Sequence, residues 1–250
     1  MKSSINSFER SNCLDQQAKI RYNKFIEEFM YRLFFIVLIV LIPSAVEAVE
    51  IQLGHSDSRL GIKCTKPEEA HKTQAKRKIQ EFLSVYKPKT IQQNLARIIL
   101  CGELLLYDLA WVRGTYDLNQ RTIWIEADSH TGTTYMLHHE FSSILLLNFM
   151  KKVPRKWLSF TKKWSSFNKE SYIRNWRLIN MNWKVDPRLR DKGFFYPYSQ
   201  QSLEDDFNVM AGIHLPNIDY YNQLIKEGRK HYPINQKFLL LKDFYKGLLK

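Results

Sequence analysis

The stretch Thr133-Thr134-Tyr135-Met136-Leu137-His138-His139-Glu140-Phe141-Ser142-Ser143-Ile144-Leu145-Leu146-Leu147-Asn148-Phe149-Met150 decides how this chain is read. Thr133 or Thr134 can cap a helix by accepting a first-turn backbone N–H, and the helix then runs to about Met150. Its second half is apolar on nearly every face, which suits a helix buried at the centre of a domain. Its first half holds His138, His139 and Glu140. Ionisable groups on a buried helix are costly unless they are partnered, so these three residues mark the candidate site.

Working outward, Pro67 to Tyr86 is expected to be a helix, with Pro67, Glu68 and Glu69 in its first turn and Ile79, Phe82, Leu83 and Tyr86 at helical spacing. Leu95 to Leu106 is rich in Leu and Ile, interrupted by Gly102. Leu109–Val112 and Thr122–Glu126 look like strands around a turn region from Gly114 to Gln120. This predicts a small, mainly antiparallel sheet packed on the buried helix. Beyond the helix, Ser202 caps a segment from Leu203 to about Leu215, and further helices are expected at about Asp219–Glu227 and Ile234–Leu249. The class is α+β with a helical C-terminal half.

The N-terminal region has a different character. Arg32 precedes the apolar run Phe34-Phe35-Ile36-Val37-Leu38-Ile39-Val40-Leu41-Ile42, which is followed by Pro43, Ser44 and the small-residue pattern Ala45-Val46-Glu47-Ala48. A basic flank, a short apolar core and an A-x-A-like site are the parts of a secretory signal peptide. Cleavage near Ala48 predicts an exported protein, periplasmic or secreted, with residues 1–48 as leader and signal and 49–250 as one domain. An uncleaved membrane anchor is the alternative, although the run falls short of the roughly 20 residues a crossing needs. Met30-Tyr31-Arg32 would itself make an ordinary start, so residues 1–29 read as a mis-assigned leader. In an oxidising compartment Cys64 and Cys101 can form a bridge; two buried thiols are the other reading.

The 250 residues are 44% apolar and 25% charged, ordinary for a folded chain, with a formal charge of +13. Much of that excess lies between Lys151 and Lys192, together with Trp157, Trp164, Trp176 and Trp183. Lys and Arg interleaved with aromatics suit phosphates and bases. Export disfavours nucleic acid and favours an anionic envelope surface as the partner of residues 151–192. A solvated helix face with its tryptophans turned inward accounts for the same pattern.

The central helix also carries a chemical pattern. In H-E-x-x-H, two histidines one turn apart bind zinc, and the glutamate between them activates the metal-bound water. Here His139 and Glu140 stand in place, but Ser143 occupies the position of the second histidine, and a neutral hydroxyl is a poor zinc ligand. Together with Gly193-Phe194-Phe195, Tyr198 and Glu204-Asp205-Asp206-Phe207, this segment resembles the bacterial putative zinc-binding metallopeptidases, similar in layout to the gluzincin catalytic domain of anthrax lethal factor. The resemblance covers about Ile98 to Lys246. It implies a zincin-like fold, a peptide or protein substrate, zinc held by His139 and Asp205 with Ser143 at the degenerate position, Glu140 as general base and Tyr198 as an oxyanion donor. Asp205 stands where the family more usually has Glu.

Bland readings stand beside these. His139 and Glu140 can be a buried pair in a fold without metal, Asp205 can serve the helix start after Ser202, and Tyr198 can be one of several loop aromatics. Among residues that might replace the missing ligand, His138 points about 100° away from His139 around the helix, His214 falls near the opposite face of its helix from Asp205, and His130 is the least excluded. Two functions follow: a zinc peptidase, or a catalytically inactive binding protein using the cleft and the basic segment. Thr122–Glu126 is the strand against which an extended peptide would pair.

Overall fold

The computed structural model describes residues 49–108, 110–127, 132–173, 187–217 and 233–250. The signal-peptide run, His130, Trp176, Trp183 and the helix expected at Asp219–Glu227 lie outside these residues. Ala48–Lys250 packs as one unit.

The main sheet has the order β1 (Glu50–Leu53), β3 (Arg97–Cys101), β7 (Thr122–Glu126), β6 (Gly114–Asp117). The pairs β1/β3 and β3/β7 are parallel, with Ile98 opposite Ile123 and Leu100 opposite Ile125, and only β6 runs antiparallel to its neighbour. The expectation of a mainly antiparallel sheet is therefore corrected to a mixed one. The physical reason lies in Ile98-Ile99-Leu100-Cys101, an uninterrupted apolar run of fully buried residues. Such runs belong to strands covered on both faces, the habit of parallel sheets. Between β1 and β3 the chain crosses over through α1 (Glu69–Val85) and α2 (Pro88–Asn94). Helix α1 buries Ala75, Ile79 and Phe82 at four- and three-residue intervals, one stripe of a 3.6-residue period. Pro88 opens α2 at its first turn and holds Lys87 in an extended conformation, as a following proline requires.

A second correction concerns the edge. Thr122–Glu126 is an interior strand, and the edge is β6, formed by residues that read as a turn. The turn proper falls between β6 and β7, where the Asp117 carboxylate accepts from the backbone N–H groups of Asn119 and Gln120.

The faces of the sheet have different cover. Ile98, Leu100, Ile123 and Ile125 point into the larger core, whereas Ile99, Cys101 and Trp124 join Ile62, Cys64 and Leu104 on the opposite side. On that side lies an antiparallel sheet of β2 (Ile62–Cys64), β4 (Leu104–Leu106) and β5 (Ala110–Trp111). Cys64 and Cys101 are bridged, with Cα atoms 5.1 Å apart, so the disulfide ties the small sheet to the back of the large one.

The motif helix, α3 (Gly132–Lys152), packs on β6, β7, α1 and the later helix α6 (Leu203–His214). Phe82, Tyr86, His138 and Phe141 interlock edge-on or tilted with ring centroids 4.9–5.6 Å apart. Helix α6 approaches closely because Gly212 lacks a side chain: a Cβ there would meet the Tyr135 ring at 2.7 Å. In α4 (Pro154–Ser166) Phe160 and Trp164 are buried while Arg155, Lys156, Lys162 and Lys163 are exposed, so this part of the basic segment has its aromatics inward and its charges in solvent. The short α5 (Pro187–Arg190) and the C-terminal α7 (Pro233–Tyr245) complete the described helices. No helix among the described residues is long and apolar enough to cross a membrane.

Candidate functional site

His139, Glu140 and Tyr198 line one cleft of about 460 Å³, together with Met136, Gly114 and Trp111. Three features of the chain bring them together. Helix α3 presents Met136, His139 and Glu140 along one stripe. Strand β6 runs across that stripe, and Gly114 is where the two touch: a Cβ at this position would meet the Glu140 Oε1 at 2.7 Å and the Met136 Cε at 2.8 Å. Tyr198 arrives from a 3-10 turn, Pro197–Gln200, immediately before α6, and its ring centroid lies 6.0 Å from that of His139.

Ser202 caps α6 by accepting from the Asp205 backbone N–H at 3.0 Å, and the Ser202 hydroxyl donates to Asp205 Oδ2 at 2.6 Å. Asp205 therefore serves the helix start. It also belongs to the site, since its charge raises the pKa of both Glu140 and Tyr198.

Ser143 is elsewhere. The residue is 1% exposed, and its hydroxyl accepts from the side-chain amide of Asn208 at 2.6 Å. Against Ser143 lies the phenol of Tyr116, whose O–H donates to Glu204 Oε1 at 2.7 Å. Neither Asn208 nor Tyr116 was legible as a site residue from composition, yet each had a signal. Asn208 stands three residues after Asp205, hence on the same side of α6. Tyr116 stands two residues after Gly114, hence on the same face of the strand.

His138 and His139 diverge, as adjacent helical residues must. His138 Nδ1 lies 2.9 Å from the Tyr86 hydroxyl, and its Nε2 is buried without a partner. His139 Nδ1 faces the Tyr135 hydroxyl at 3.4 Å. His214 is buried beside the Phe238 ring at a centroid distance of 4.1 Å.

Burial dominates the electrostatics. It lowers both His138 and His139 from 6.5 to about 3, so each imidazole is neutral. Glu140 is raised from 4.5 to about 8, first by burial and then by the charges of Glu204 and Asp205. The Glu140 carboxyl is 6% exposed and has no hydrogen-bond or ion-pair partner among the described residues. Burial also pushes the Tyr198 phenol well up, and Asp205 adds to the effect.

A zinc ion needs three protein ligands with a free position for water. The donors present do not suit it. The Ser143 oxygen is engaged by Asn208, an Asp205 oxygen is engaged by Ser202, and among the described residues no group of three or more His, Cys, Asp or Glu could hold a metal ion. The cleft wall carries the neutral His139 imidazole and the Glu140 carboxyl group, with Arg113 and Glu126 lining the same cleft.

No protein-family model, curated protein or solved structure matches this chain.

Proposed function

We propose that this chain is an exported protein of zincin-like architecture, without metal chemistry, that binds an extended peptide in the cleft along β6. The observation that carries the reading is the Asn208–Ser143 hydrogen bond. At the helical position where a second imidazole would face the metal there is a short hydroxyl already satisfied by a neighbouring helix. Support also comes from the order of parts: a mixed sheet with an antiparallel edge strand, a buried helix bearing His139 and Glu140 beneath that edge, and Tyr198 entering the cleft just before α6.

The edge strand supplies the means of binding. In the β6/β7 ladder bonded pairs alternate, and the Arg113 carbonyl accepts from Glu126 N–H at 2.9 Å. Thr115 and Asp117 therefore bond to β7, and the N–H and C=O groups of Gly114 and Tyr116 point to the outer edge. Among the described residues, no backbone hydrogen bond outside the ladder uses them. An extended peptide pairing there gains main-chain hydrogen bonds while its alternate side chains enter the cleft. Tyr198 and the 69%-exposed Trp111 offer apolar surface to those side chains.

The test is metal content together with peptide binding by the purified full chain. The expected result is a folded, metal-free protein that binds a capped pentapeptide. Stoichiometric zinc that disappears in His139→Ala would return the reading to a metallopeptidase, with water activation at Glu140.

A further inference from the structure

We propose that the Glu140 carboxyl group is a docking point for a primary ammonium group, which occupies the cleft beneath β6. This rests on the peptide-binding reading above and names the chemistry the cleft selects.

Three observations carry it. First, Glu140 is nine-tenths buried, lines the cleft, and has neither a hydrogen-bond nor an ion-pair partner among the described residues. A buried carboxyl left in this state forfeits the compensation that such groups normally find. Second, the charged groups whose fields reach it, Glu204 from α6 and Asp205 beside it, are both carboxylates. Arg113 lines the same cleft but is not among the groups that act on Glu140. Third, the other carboxylates nearby are engaged: Glu204 accepts from Tyr116, Asp205 accepts from Ser202, and Glu126 in the cleft lining has a partner of its own. The cleft thus presents one carboxyl group whose ionised form has no cation beside it, and which a bound ammonium group would stabilise.

Cation choice follows from the donors. A zinc ion lacks its ligand set here, as shown above. An ammonium group needs only two or three acceptors at hydrogen-bond distance. Glu140 provides one or two of them at the cleft wall, and water in the cleft can supply the rest. Guanidinium is planar and wider, and it pairs best side-on with a free carboxylate edge; the contact between Gly114 and Glu140 Oε1 narrows that edge. The walls, Met136, Trp111 and Tyr198, suit the methylene stem of a lysine side chain, and the aromatic rings favour a cation near their faces. A lysine side chain and a peptide's α-amino group share this chemistry.

Calorimetric titration of the full chain with four capped or uncapped peptides decides between them. The acetylated and amidated Ala-Ala-Lys-Ala-Ala is compared with its norleucine and Nε-acetyl-lysine analogues, and with an uncapped norleucine peptide whose only ammonium is the N-terminus. The expected result is at least about tenfold tighter binding of an ammonium-bearing peptide than of the capped norleucine peptide, the range of a charge-assisted hydrogen bond. Tighter binding of the capped lysine peptide assigns the side chain, and tighter binding of the uncapped norleucine peptide assigns the terminus. Glu140→Gln should abolish the preference, bringing the ammonium-bearing peptide to the affinity of the capped norleucine peptide on the same variant. Equal binding of all four peptides overturns the ammonium site and leaves the edge-strand reading standing. Absence of any binding by folded protein overturns both. Should Glu140→Gln fail to fold, the comparison of peptides on the wild-type chain decides alone.

Discussion

The side-chain amide of Asn208 donates to the Ser143 hydroxyl across 2.6 Å, joining α6 to the motif helix α3. Asn208 Oδ1 is already buried without a partner, so Ser143→Ala would leave both polar ends of this amide unmatched. An unpaired buried donor costs about 1–3 kcal/mol. Urea denaturation should show a loss in that range with an unchanged m-value; a loss below about 0.5 kcal/mol would mean that the bond contributes nothing. Ser143→His alone should lose more, because the imidazole has no room beside Asn208. In Ser143→His with Asn208→Ala the space is restored and zinc uptake is expected. Failure of this double variant to bind zinc while folded would count against the zincin-like architecture.

The same corner shows how far the residues themselves could be read. The α3 helix, its burial and the Ser202 cap were legible, because apolar periodicity and a capping side chain are local signals. The sheet was not. Gly114 and Tyr116 form a strand since β7 pairs with them and Glu140 packs against them, and a glycine followed by polar residues carries no local sign of either. Parallel pairing of β1, β3 and β7 depends on a crossover through α1 and α2, which is a property of the whole chain. His139, Glu140 and Tyr198 were found together by their order in sequence. That Ser143 was already satisfied depended on Asn208, 65 residues away.

The Cys64–Cys101 bridge closes a loop with a sequence separation of 37, for which chain entropy alone gives a stabilisation of about 4 kcal/mol. Both sulfurs lie in the smaller core behind the sheet. Cys64→Ala with Cys101→Ala should lower stability by about 2–4 kcal/mol, read from the denaturation midpoint. Wild-type protein unfolded in dithiothreitol should match the double variant. A double variant as stable as the oxidised parent would show that the small sheet is held by packing alone.

Buried histidines and a buried acid give stability a maximum near neutral pH. Glu140 keeps its proton in the folded state up to about pH 8, whereas the unfolded carboxyl loses it near 4.5. Between these values the native state binds more protons, so stability falls as pH rises through that window. His138 and His139 behave oppositely. Both stay neutral down to about pH 3 when folded but take up protons below 6.5 when unfolded, so stability falls as pH drops from 6.5. Below 6.5 the histidines, His214 among them, outweigh the Glu140 carboxyl, and from 6.5 to about 8 Glu140 sets the decline. Melting temperature against pH should therefore peak close to neutrality, and Glu140→Gln should flatten only the alkaline arm up to about pH 8. An alkaline decline of equal slope in Glu140→Gln would assign it to another group.

The buried ion pair behind the cleft is a matter of specificity more than of stability. Lys237 Nζ from α7 meets Asp206 Oδ2 from α6 at 2.5 Å, with both side chains at 0–1% exposure. The same carboxylate oxygen accepts from Trp164 Nε1 at 2.8 Å and from the Tyr172 hydroxyl at 2.9 Å, and the ammonium also donates to the Gly193 carbonyl. Burial opposes both charges, raising Asp206 and lowering Lys237. Removing one partner strands the other charge in the core, at a cost of about 3–5 kcal/mol. Lys237→Met and Asp206→Leu should each show that loss by chemical denaturation. The double variant should recover a large part of it, because no charge is then stranded and desolvation of the pair no longer opposes folding. In a double-mutant cycle this appears as a coupling energy of several kcal/mol. Additive losses in the double variant would show that Trp164, Tyr172 and the Gly193 carbonyl, left without their ionic partners, set the cost instead.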